Sequence, residues 1–382
     1  MKSLRRLAVC RDDLRAPVNA EERAGRPGDV PYWGANSIQG TIDEALVHVP
    51  AVLLGEDGAP FFDADRPVAF YIDEPVWPNN HIHVLVPRTD VHGPWLAHAL
   101  NAVDYSLVIT GSTRDKLTQA AMLGITLAVP PTDEQRAIAH FLDEQTSRID
   151  TLIDKQTQLI TTLRERMSAQ LSLHFGAIDQ LRLTSVRRVL RPLVRPARAG
   201  LGVITAYRDG VVTLRSTRRE DGYTISESEA GYQEIRPGDL VFHALDGFAG
   251  ACGVSDSHGV GSPVYHVCEP VGDDNVEYLA LLLRFLGTSG YLATQAPNVR
   301  QRSVDFRNWT TFARVPLYIP SPADQRSFVT HYRAQESQAR AVISKTEQHI
   351  MLAKERRAAL IRAAVTGQID VRTSGQALLE VA

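Results

Sequence analysis

The feature that most constrains the fold of this 382-residue chain is a helical phrase that the sequence contains twice. "VPPTDEQRAIAHFL" begins at Val129, and "IPSPADQRSFVTHY" begins at Ile319. Between Gln135 and Gln325 the offset is 190 residues, and at that offset the two helical segments align without a gap. Internal repeats of this kind report architecture directly. The sequence therefore predicts two globular units, each followed by a long helix.

The first repeated segment has its seam residues alternately four and three positions apart, which is the heptad pattern of a coiled coil. This predicted seam consists of Ile138, Leu142, Gln145, Ile149, Leu152, Gln156, Leu159 and Leu163. The second segment holds smaller or more polar residues at matching positions, with Ile350 widening its apolar stripe: Phe328, Tyr332, Gln335, Ala339, Val342, Thr346, His349 and Ala353. We expect the helices to pair with each other. The alternative is that each packs only on its own globular unit.

Composition indicates a soluble globular protein, with 44% hydrophobic and 22% charged residues. The sequence has no apolar run of about 18 residues and no secretory signal at its start, so we expect a cytoplasmic location. Its three cysteines are too few and too scattered to predict a disulfide framework or a zinc knuckle. We expect free, reduced thiols.

One segment is strongly basic although the formal net charge is only -3. Between Arg187 and Arg219 the chain carries nine arginines and a single acid, Asp209. Arginine presents a forked set of donors that suits phosphate and guanine edges. This run therefore predicts binding to a polyanion, although a solvated charged face is the alternative.

The order of these parts resembles the specificity subunit of type I restriction-modification systems. The resemblance rests on the "PPTDEQR" helix, the "PADQR" helix and the ending "LAKERRAALIRAAVTGQIDV", and it extends to about Arg372. It implies an α+β fold in which two mixed α/β target recognition domains are separated by two long conserved helices. These helices pair as an antiparallel coiled coil in a pseudo-twofold repeat. The implied boundaries are 1–128 and 180–318 for the recognition domains, 129–179 and 319–373 for the spacer helices, and 374–382 for a tail.

The resemblance also implies a function. The chain would be a non-catalytic subunit that reads a split site on double-stranded DNA and docks two methyltransferase subunits, to which restriction and translocase subunits can add. S-adenosylmethionine is expected on the methyltransferase partner, and no cofactor is expected on this chain. A coiled-coil scaffold or defence adaptor without DNA specificity is the alternative.

Candidate DNA contacts are polar and planar side chains in predicted loops, because these types can meet base edges or phosphates. In the first domain they are Asn36, Ser37, Gln39, Asn79, Asn80, His81, Arg114 and Lys116. In the second domain they are Arg215, Arg218, Arg219, Asn298, Arg300, Gln301 and Arg302. For each of them a turn, capping or plain surface role is the alternative.

No catalytic site is expected. "GANSIQGT" lacks the glycine spacing and the lysine of a Walker loop. His81 and His83 alternate on a predicted strand, but no cysteine or acid cluster near them in the sequence completes a metal site. The acids Glu56, Asp57 and Asp63 have no suitably placed lysine and suggest surface turns rather than a nuclease. We therefore expect that the chemistry belongs to partner subunits.

Overall fold

A computed structural model describes residues 1–109, 115–177, 181–198, 200–218, 231–296, 299–300 and 303–372. The chain divides into two compact units. Unit 1 comprises Met1–Leu159 and Lys345–Ala382, and unit 2 comprises Ile160–Ser344. Each unit therefore combines one globular part with a portion of both long helices.

Unit 1 contains nine strands in its described residues: β1 (Lys2–Ser3), β2 (Ala8–Cys10), β3 (Val30–Trp33), β4 (Ile38–Ile42), β5 (Ala51–Gly55), β6 (Ala69–Ile72), β7 (Trp77–Pro78), β8 (Ile82–Pro87) and β9 (Thr126–Leu127). Its helices are α1 (Ala20–Ala24), α2 (Gly93–Asn101), α3 (Gln119–Gly124) and the first part of α4 (Thr132–Gly176).

The main sheet of unit 1 is antiparallel with strand order β2-β8-β5-β6, and β4-β3-β7 forms a second sheet. Strands β5 and β8 lie at the centre of the main sheet, where both of their faces are covered. This explains why "AVLLG" is a continuous buried run rather than an alternating one. Helix α2 packs on β5 and β6 and buries Trp95 completely.

Unit 2 contains twelve strands in its described part: β10 (Arg182–Ser185), β11 (Leu190–Pro192), β12 (Ile204–Ala206), β13 (Val212–Leu214), β14 (Gln233–Ile235), β15 (Leu240–His243), β16 (Cys252–Val254), β17 (Gly259–Gly261), β18 (Tyr265–Pro270), β19 (Val299–Arg300), β20 (Ser303–Val304) and β21 (Pro316–Ile319). Its helices are α5 (Val186–Val189), α6 (Val276–Thr288), α7 (Tyr291–Gln295), α8 (Trp309–Ala313) and the first part of α9 (Pro322–Val365).

Unit 2 repeats the architecture of unit 1. Its main sheet has the order β11-β18-β15-β16, and α6 packs on β15 and β16 as α2 packs on β5 and β6. A short strand near the start of each unit also pairs with the strand before a long helix, β1 with β9 and β10 with β21. Gly253 has to be glycine, because an added Cβ would lie 2.0 Å from the carbonyl oxygen of Gly210. The predicted α+β repeat is confirmed.

The long helices α4 and α9 pack antiparallel within each unit. In unit 1, Ile138 and Leu142 of α4 share an apolar cluster with Ile361 and Val365 of α9. In unit 2, the His174 ring stacks on the Phe328 ring with centroids 3.4 Å apart, and one turn earlier Gln170 donates a 2.6 Å hydrogen bond to Gln335. Partner numbers fall along α9 as they rise along α4. The predicted antiparallel pairing is confirmed.

The seam between the helices differs from the predicted one at Leu152 and Leu159 of α4. The predicted seam residues that recur every seven positions from Leu142 are buried or half-buried, namely Leu142, Ile149, Gln156 and Leu163. Leu152 and Leu159, in contrast, are 48% and 44% exposed, whereas Ile160 is 7% exposed and Ile153 is half-buried. Leu152 and Ile153 follow Ile149 by three and four positions, and residues at these two spacings lie on the same face of a helix as the first residue. The position of the partner helix decides which of the two side chains is covered.

The same correction applies to α9. Val342 was predicted in the seam but is 44% exposed, while its neighbour Ile343 is half-buried. Tyr332 is buried, and Phe328 and Ile350 are half-buried, as expected of seam residues.

The repeated glutamine of the two phrases has the same structural role in both units. Gln135 Oε1 accepts a 2.8 Å bond from the amide of His92, the N-cap of α2, while its Nε2 donates to the carbonyl oxygen of Pro130 at 2.9 Å. Gln325 Oε1 accepts a 2.8 Å bond from the amide of Asn275, the N-cap of α6, and its Nε2 donates to the carbonyl oxygen of Pro320. Each spacer helix is thus tied to a helix of its globular unit.

Candidate nucleic-acid interface

The loop residues predicted to contact DNA in unit 1 lie around the end of strand β5. Strands β3 and β7 run parallel, with Trp33 opposite Pro78, and the amide of Asn79 donates to the carbonyl oxygen of Trp33 at 2.9 Å. This places the β3–β4 turn beside residues 79–81. The amide of Glu56, directly after β5, donates to the carbonyl oxygen of His81. Three segments that are far apart in sequence therefore meet at one place.

Several side chains of these loops are free to face a ligand. Ser37, Gln39 and Asn80 are exposed, and the Gln39 amide donates to the Ser37 hydroxyl at 2.9 Å. Asn36 and His81 are half-buried. The Asn79 carboxamide instead accepts a 2.8 Å bond from the amide of His81, which is the turn role that was the alternative. The predicted contacts thus include both surface groups and one structural amide.

Lys116 joins this cluster through Glu56. The Lys116 ammonium lies 3.0 Å from Glu56 Oε1, and the amide of Leu117 donates to the carbonyl oxygen of Glu56. Arg15 also pairs with the Glu56 carboxylate. Burial opposes ionisation of Glu56, but hydrogen bonds from Lys116 and Arg15 outweigh it and hold the pKa of that carboxyl below its usual value. Glu56 therefore holds Lys116 and Arg15 in place. It is buried, so it is not the acid of a surface turn that the sequence suggested. Arg114 lies outside the described residues.

The candidate residues of unit 2 lie on separate segments. Arg215 donates to the Thr205 hydroxyl at 3.1 Å, and Arg218 pairs with Asp209 at 2.7 Å and lies over the Tyr207 ring. Arg300 is on β19, which pairs with β20 through Arg300 opposite Ser303. Arg219, Asn298, Gln301 and Arg302 lie outside the described residues.

The arginine run of unit 2 is largely neutralised by acids from elsewhere in the chain. Arg195 pairs with Asp239, Arg208 with Asp246 at 2.9 Å, and Arg191 with Glu269, while Arg198 lies 3.7 Å from Glu234. The sequence shows only Asp209 inside this run, so it could not reveal these pairs. These four arginines therefore have acidic partners within unit 2 and are less available to bind a polyanion.

Two arginine pairs are exceptions. Arg187 and Arg188 in α5 are exposed, and neither has a side-chain hydrogen bond or ion pair within the described part of the chain. Arg5 and Arg6 hold the same place in unit 1, in the 3-10 turn between β1 and β2, and share both properties. These twin arginine pairs place exposed cations at equivalent positions of the two units. Their sequence signal is the echo between "SLRRLAV" and "SVRRVLR".

Comparison with known proteins finds similarity in the first part of the chain. Residues 17–162 match the model of the type I restriction modification DNA specificity domain. The protein S.HindORF215P of Haemophilus influenzae, which is named as a type I restriction enzyme specificity subunit, is 30% identical over 146 residues. Both similarities lie in the first part of the chain and point to the type I restriction-modification specificity family. The aligned part covers 38% of this chain and 37% of that relative.

A solved structure supports the fold over nearly the whole length of the chain. One chain of a structure concerned with complex assembly and conformational transition of the type I R-M system matches with a TM-score of 0.67 at 11% identity. The match covers 96% of this chain and 97% of that chain. At this identity the likeness shows the fold alone. In the residues that the structure describes, no helix is both long enough and apolar enough to cross a membrane.

Sequence reasoning missed one group of residues in unit 1. Asp12, Arg15 and His83 form an ionic cluster with Glu56 beneath the loops of unit 1. His83 is buried, and its Nδ1 lies 2.7 Å from Asp12 Oδ2. Asp12 is 71 positions from His83 in sequence. Only the pairing of β2 with β8 brings them together, so no local pattern could have found this group.

Proposed function

We propose that this chain is the DNA sequence-recognition subunit of a type I restriction-modification complex. Each unit would read one half of a split duplex site, and the chain itself would catalyse no reaction. Methyl transfer, with S-adenosylmethionine as donor, would take place on partner subunits in the cytoplasm. The proposal extends the family membership of the recognition domain to the whole chain.

The observation that carries this proposal is the convergence of loops in unit 1. Ser37, Gln39 and Asn80 supply exposed hydroxyl and amide groups, which can donate to and accept from base edges. Lys116 is half-exposed beside them and offers a charge suited to a phosphate. Specific recognition needs both kinds of contact, one for sequence and one for position. A scaffold or adaptor gives no reason for this combination, and no observation favours that alternative.

A second observation supports docking of methyltransferase subunits on the spacer helices. Leu152 and Leu159 lie seven positions apart on the same face of α4 and are exposed, beside a seam that already buries Ile153. A heptad-spaced apolar stripe in water is typical of a surface that a partner helix covers. We infer that a methyltransferase helix packs along this stripe. The number of methyltransferase subunits is expected to be two, one for each unit.

Long-read methylome sequencing tests the recognition role. A host that expresses the chain with its methyltransferase should show a split methylated motif, which should be absent when this chain is deleted. Replacing Gln39 or Asn80 by alanine should relax or abolish one half of that motif and leave the other half intact. A motif that persists in the deletion strain would refute the proposal.

Copurification tests the partner surface separately. Leu152→Glu combined with Leu159→Glu should reduce the yield of methyltransferase captured by the tagged chain at least about tenfold, because a charge would be buried without a partner. The matched control is Thr151→Glu with Gln158→Glu, which alters exposed polar residues at the same spacing on α4. Equal capture by both variants would exclude this stripe as the docking surface.

A further inference from the structure

The buried ring of His83 has oxygen atoms beside both of its nitrogens. Nε2 lies 2.9 Å from the carbonyl oxygen of Leu117, and Nδ1 lies 2.7 Å from Asp12 Oδ2. The side chain of His83 is only 1% exposed. A carbonyl oxygen can only accept, so Nε2 donates a proton to Leu117. Nδ1 faces the Asp12 carboxylate, which the Arg15 guanidinium also approaches at 3.3 Å.

Cys10 supplies a third group at the same place. Its Sγ, a carboxylate oxygen of Asp12 and a ring nitrogen of His83 all lie within 4.8 Å of one another. Cys10 is the last residue of β2 and lies opposite Leu85 of β8, while Asp12 begins the 3-10 turn that follows. Nε2 of Gln119 donates a 3.1 Å hydrogen bond to Cys10 Sγ. Burial raises the pKa of the Cys10 thiol, and this hydrogen bond opposes the rise, so binding of a metal ion would have to displace the thiol proton.

We propose that Cys10, Asp12 and His83 bind one zinc ion. Thiolate sulfur, imidazole nitrogen and carboxylate oxygen are the ligand types that zinc takes in proteins, whereas magnesium and calcium prefer oxygen alone. The bond from His83 Nε2 to the Leu117 carbonyl is the contact that normally orients a metal-bound histidine. Cys10 and Asp12 are only partly buried, so water can occupy the fourth position.

The charges and distances of the surrounding groups are compatible with zinc. The carboxylates of Asp12 and Glu56 and the thiolate of Cys10 carry three negative charges against two on the ion and one each on Arg15 and Lys116, so the loaded cluster keeps one net positive charge, next to the half-exposed Lys116. Arg15 also lies 3.3 Å from Asp12 Oδ2 and would keep that carboxylate ionised. Zinc-bound nitrogen and oxygen atoms in a tetrahedral site are about 3.3 Å apart. Nδ1 and Oδ2 would therefore separate by roughly 0.6 Å, a small side-chain adjustment.

This site revises the expectation that the chain carries no metal. That expectation assumed that no cysteine or acid lies near His81 and His83, and the fold brings Cys10 and Asp12 to His83 from the start of the chain. A bound ion would link the first strands of unit 1 to β8 and, through Leu117, to the segment that carries Lys116. The inference does not depend on DNA binding, so it can fail or succeed independently of the proposed function.

Metal content and a cobalt spectrum test the proposal on the full chain in complex with its methyltransferase. After incubation with zinc and removal of loosely bound metal, the wild-type complex should retain about one zinc ion per copy of this chain beyond the content of the methyltransferase alone. Cobalt in place of zinc should give a thiolate-to-metal charge-transfer absorption. Cys252 and Cys268 are buried in unit 2, so that band would report Cys10.

Variants identify the ligands. Cys10→Ser should abolish the charge-transfer band and, like Asp12→Asn, should reduce retained zinc at least about tenfold. His81→Ala is the matched control, because His81 lies two residues from His83 in sequence but outside the three-residue group; it should retain the ion. If a ligand variant does not fold, the cobalt spectrum of the wild-type protein still decides. No additional retained zinc, or cobalt binding without a thiolate band, would overturn the proposal.

Discussion

At the scale of single residues, the repeated glutamines explain why the chain contains one phrase twice. Gln135 and Gln325 are 1% and 0% exposed, and each uses its amide to join a spacer helix to the helix that covers a recognition sheet. A glutamine at the beginning of a helix is ordinarily a solvated residue. Burial makes these two side chains structural, because the amide and carbonyl groups that they satisfy have lost contact with water.

Replacing this glutamine should therefore destabilise the unit that contains it. Gln135→Leu leaves the amide of His92 and the carbonyl of Pro130 without their partner, so we expect the free energy of unfolding to fall by about 2–3 kcal/mol. Gln325→Leu should have a similar effect through Asn275. Gln158→Leu, at an exposed position of α4, should change it by less than about 0.5 kcal/mol. Urea unfolding followed by circular dichroism measures all three variants, and equal effects would contradict the structural role.

A second residue-scale prediction concerns pH. Hydrogen bonds from Arg236 and His258 lower the pKa of Glu234 from its ordinary 4.5 to about 2. The unfolded chain takes up this proton near pH 4.5 and the folded chain only near 2. The stabilisation from Glu234 is thus complete above the higher value and is lost as pH falls toward the lower one.

Urea midpoints of the wild type and Glu234→Gln should therefore differ most near neutral pH and converge as the pH falls to about 3. His258→Ala should weaken this pH dependence without removing it, because Arg236 still contacts Glu234. A difference between wild type and Glu234→Gln that stays constant from about pH 6 to pH 3 would be inconsistent with the depressed pKa.

At the scale of elements, α4 presents two apolar stripes rather than one. The seam toward α9 uses Ile153 and Ile160, while Leu152 and Leu159 lie one residue away and face outward. The seam predicted from heptad spacing included Leu152 and Leu159 and so combined the two stripes. Steps of three and of four residues both return to the same side of a helix, so spacing alone does not separate them. Leu152 and Leu159 lie outside this seam and are exposed.

Adjacent substitutions distinguish the two stripes. Ile160→Ala removes a buried side chain and should lower the free energy of unfolding by about 2–4 kcal/mol, as large-to-small changes in packed sites do. Leu159→Ala, one residue earlier and 44% exposed, should cost less than about 1 kcal/mol in the isolated chain. Thermal and urea unfolding of the two variants provide the comparison. A larger loss of unfolding free energy for Leu159→Ala than for Ile160→Ala would indicate that Leu159, as predicted from the sequence, lies in the seam.

At the scale of the whole molecule, charge is distributed differently from what the basic run of the sequence indicates. Four arginines of the run lie within 4 Å of acids elsewhere in unit 2, and Arg218 pairs with Asp209 inside the run. The twin arginine pairs, Arg5 with Arg6 and Arg187 with Arg188, occur at equivalent places in the two units. Repetition of the same exposed cations in both units is expected if each unit contacts a phosphate backbone, since backbone contacts do not depend on the sequence that is read.

The salt dependence of DNA binding tests these pairs. In the assembled complex, Arg187→Ala with Arg188→Ala should reduce the slope of log K against log salt by about 1–2, because each lost phosphate contact removes about 0.9. Sequence preference should be unchanged. Arg191→Ala is the matched control, because its guanidinium already pairs with Glu269 and should leave the slope nearly unaltered. An unchanged slope in the double variant would remove this pair from the interface.

The sequence by itself determined the two-unit architecture and the long helices. These features are encoded locally: the heptad spacing after Val129, the prolines that end the preceding strand and the repeat at Ile319 are all visible within short windows. The polar loop residues of unit 1 could also be proposed, because hydroxyl and amide groups in turns belong to a small set of types.

Tertiary structure alone decided which groups are partners. It separated the exposed Leu159 from the buried Ile160, neutralised most of the arginine run and placed Cys10 and Asp12 beside His83. These outcomes depend on strand register and on the position of α9, which join residues 44 to more than 200 positions apart. Local propensity carries no information over such distances. Burial and ion pairing follow from which surfaces meet, and only the folded chain specifies that.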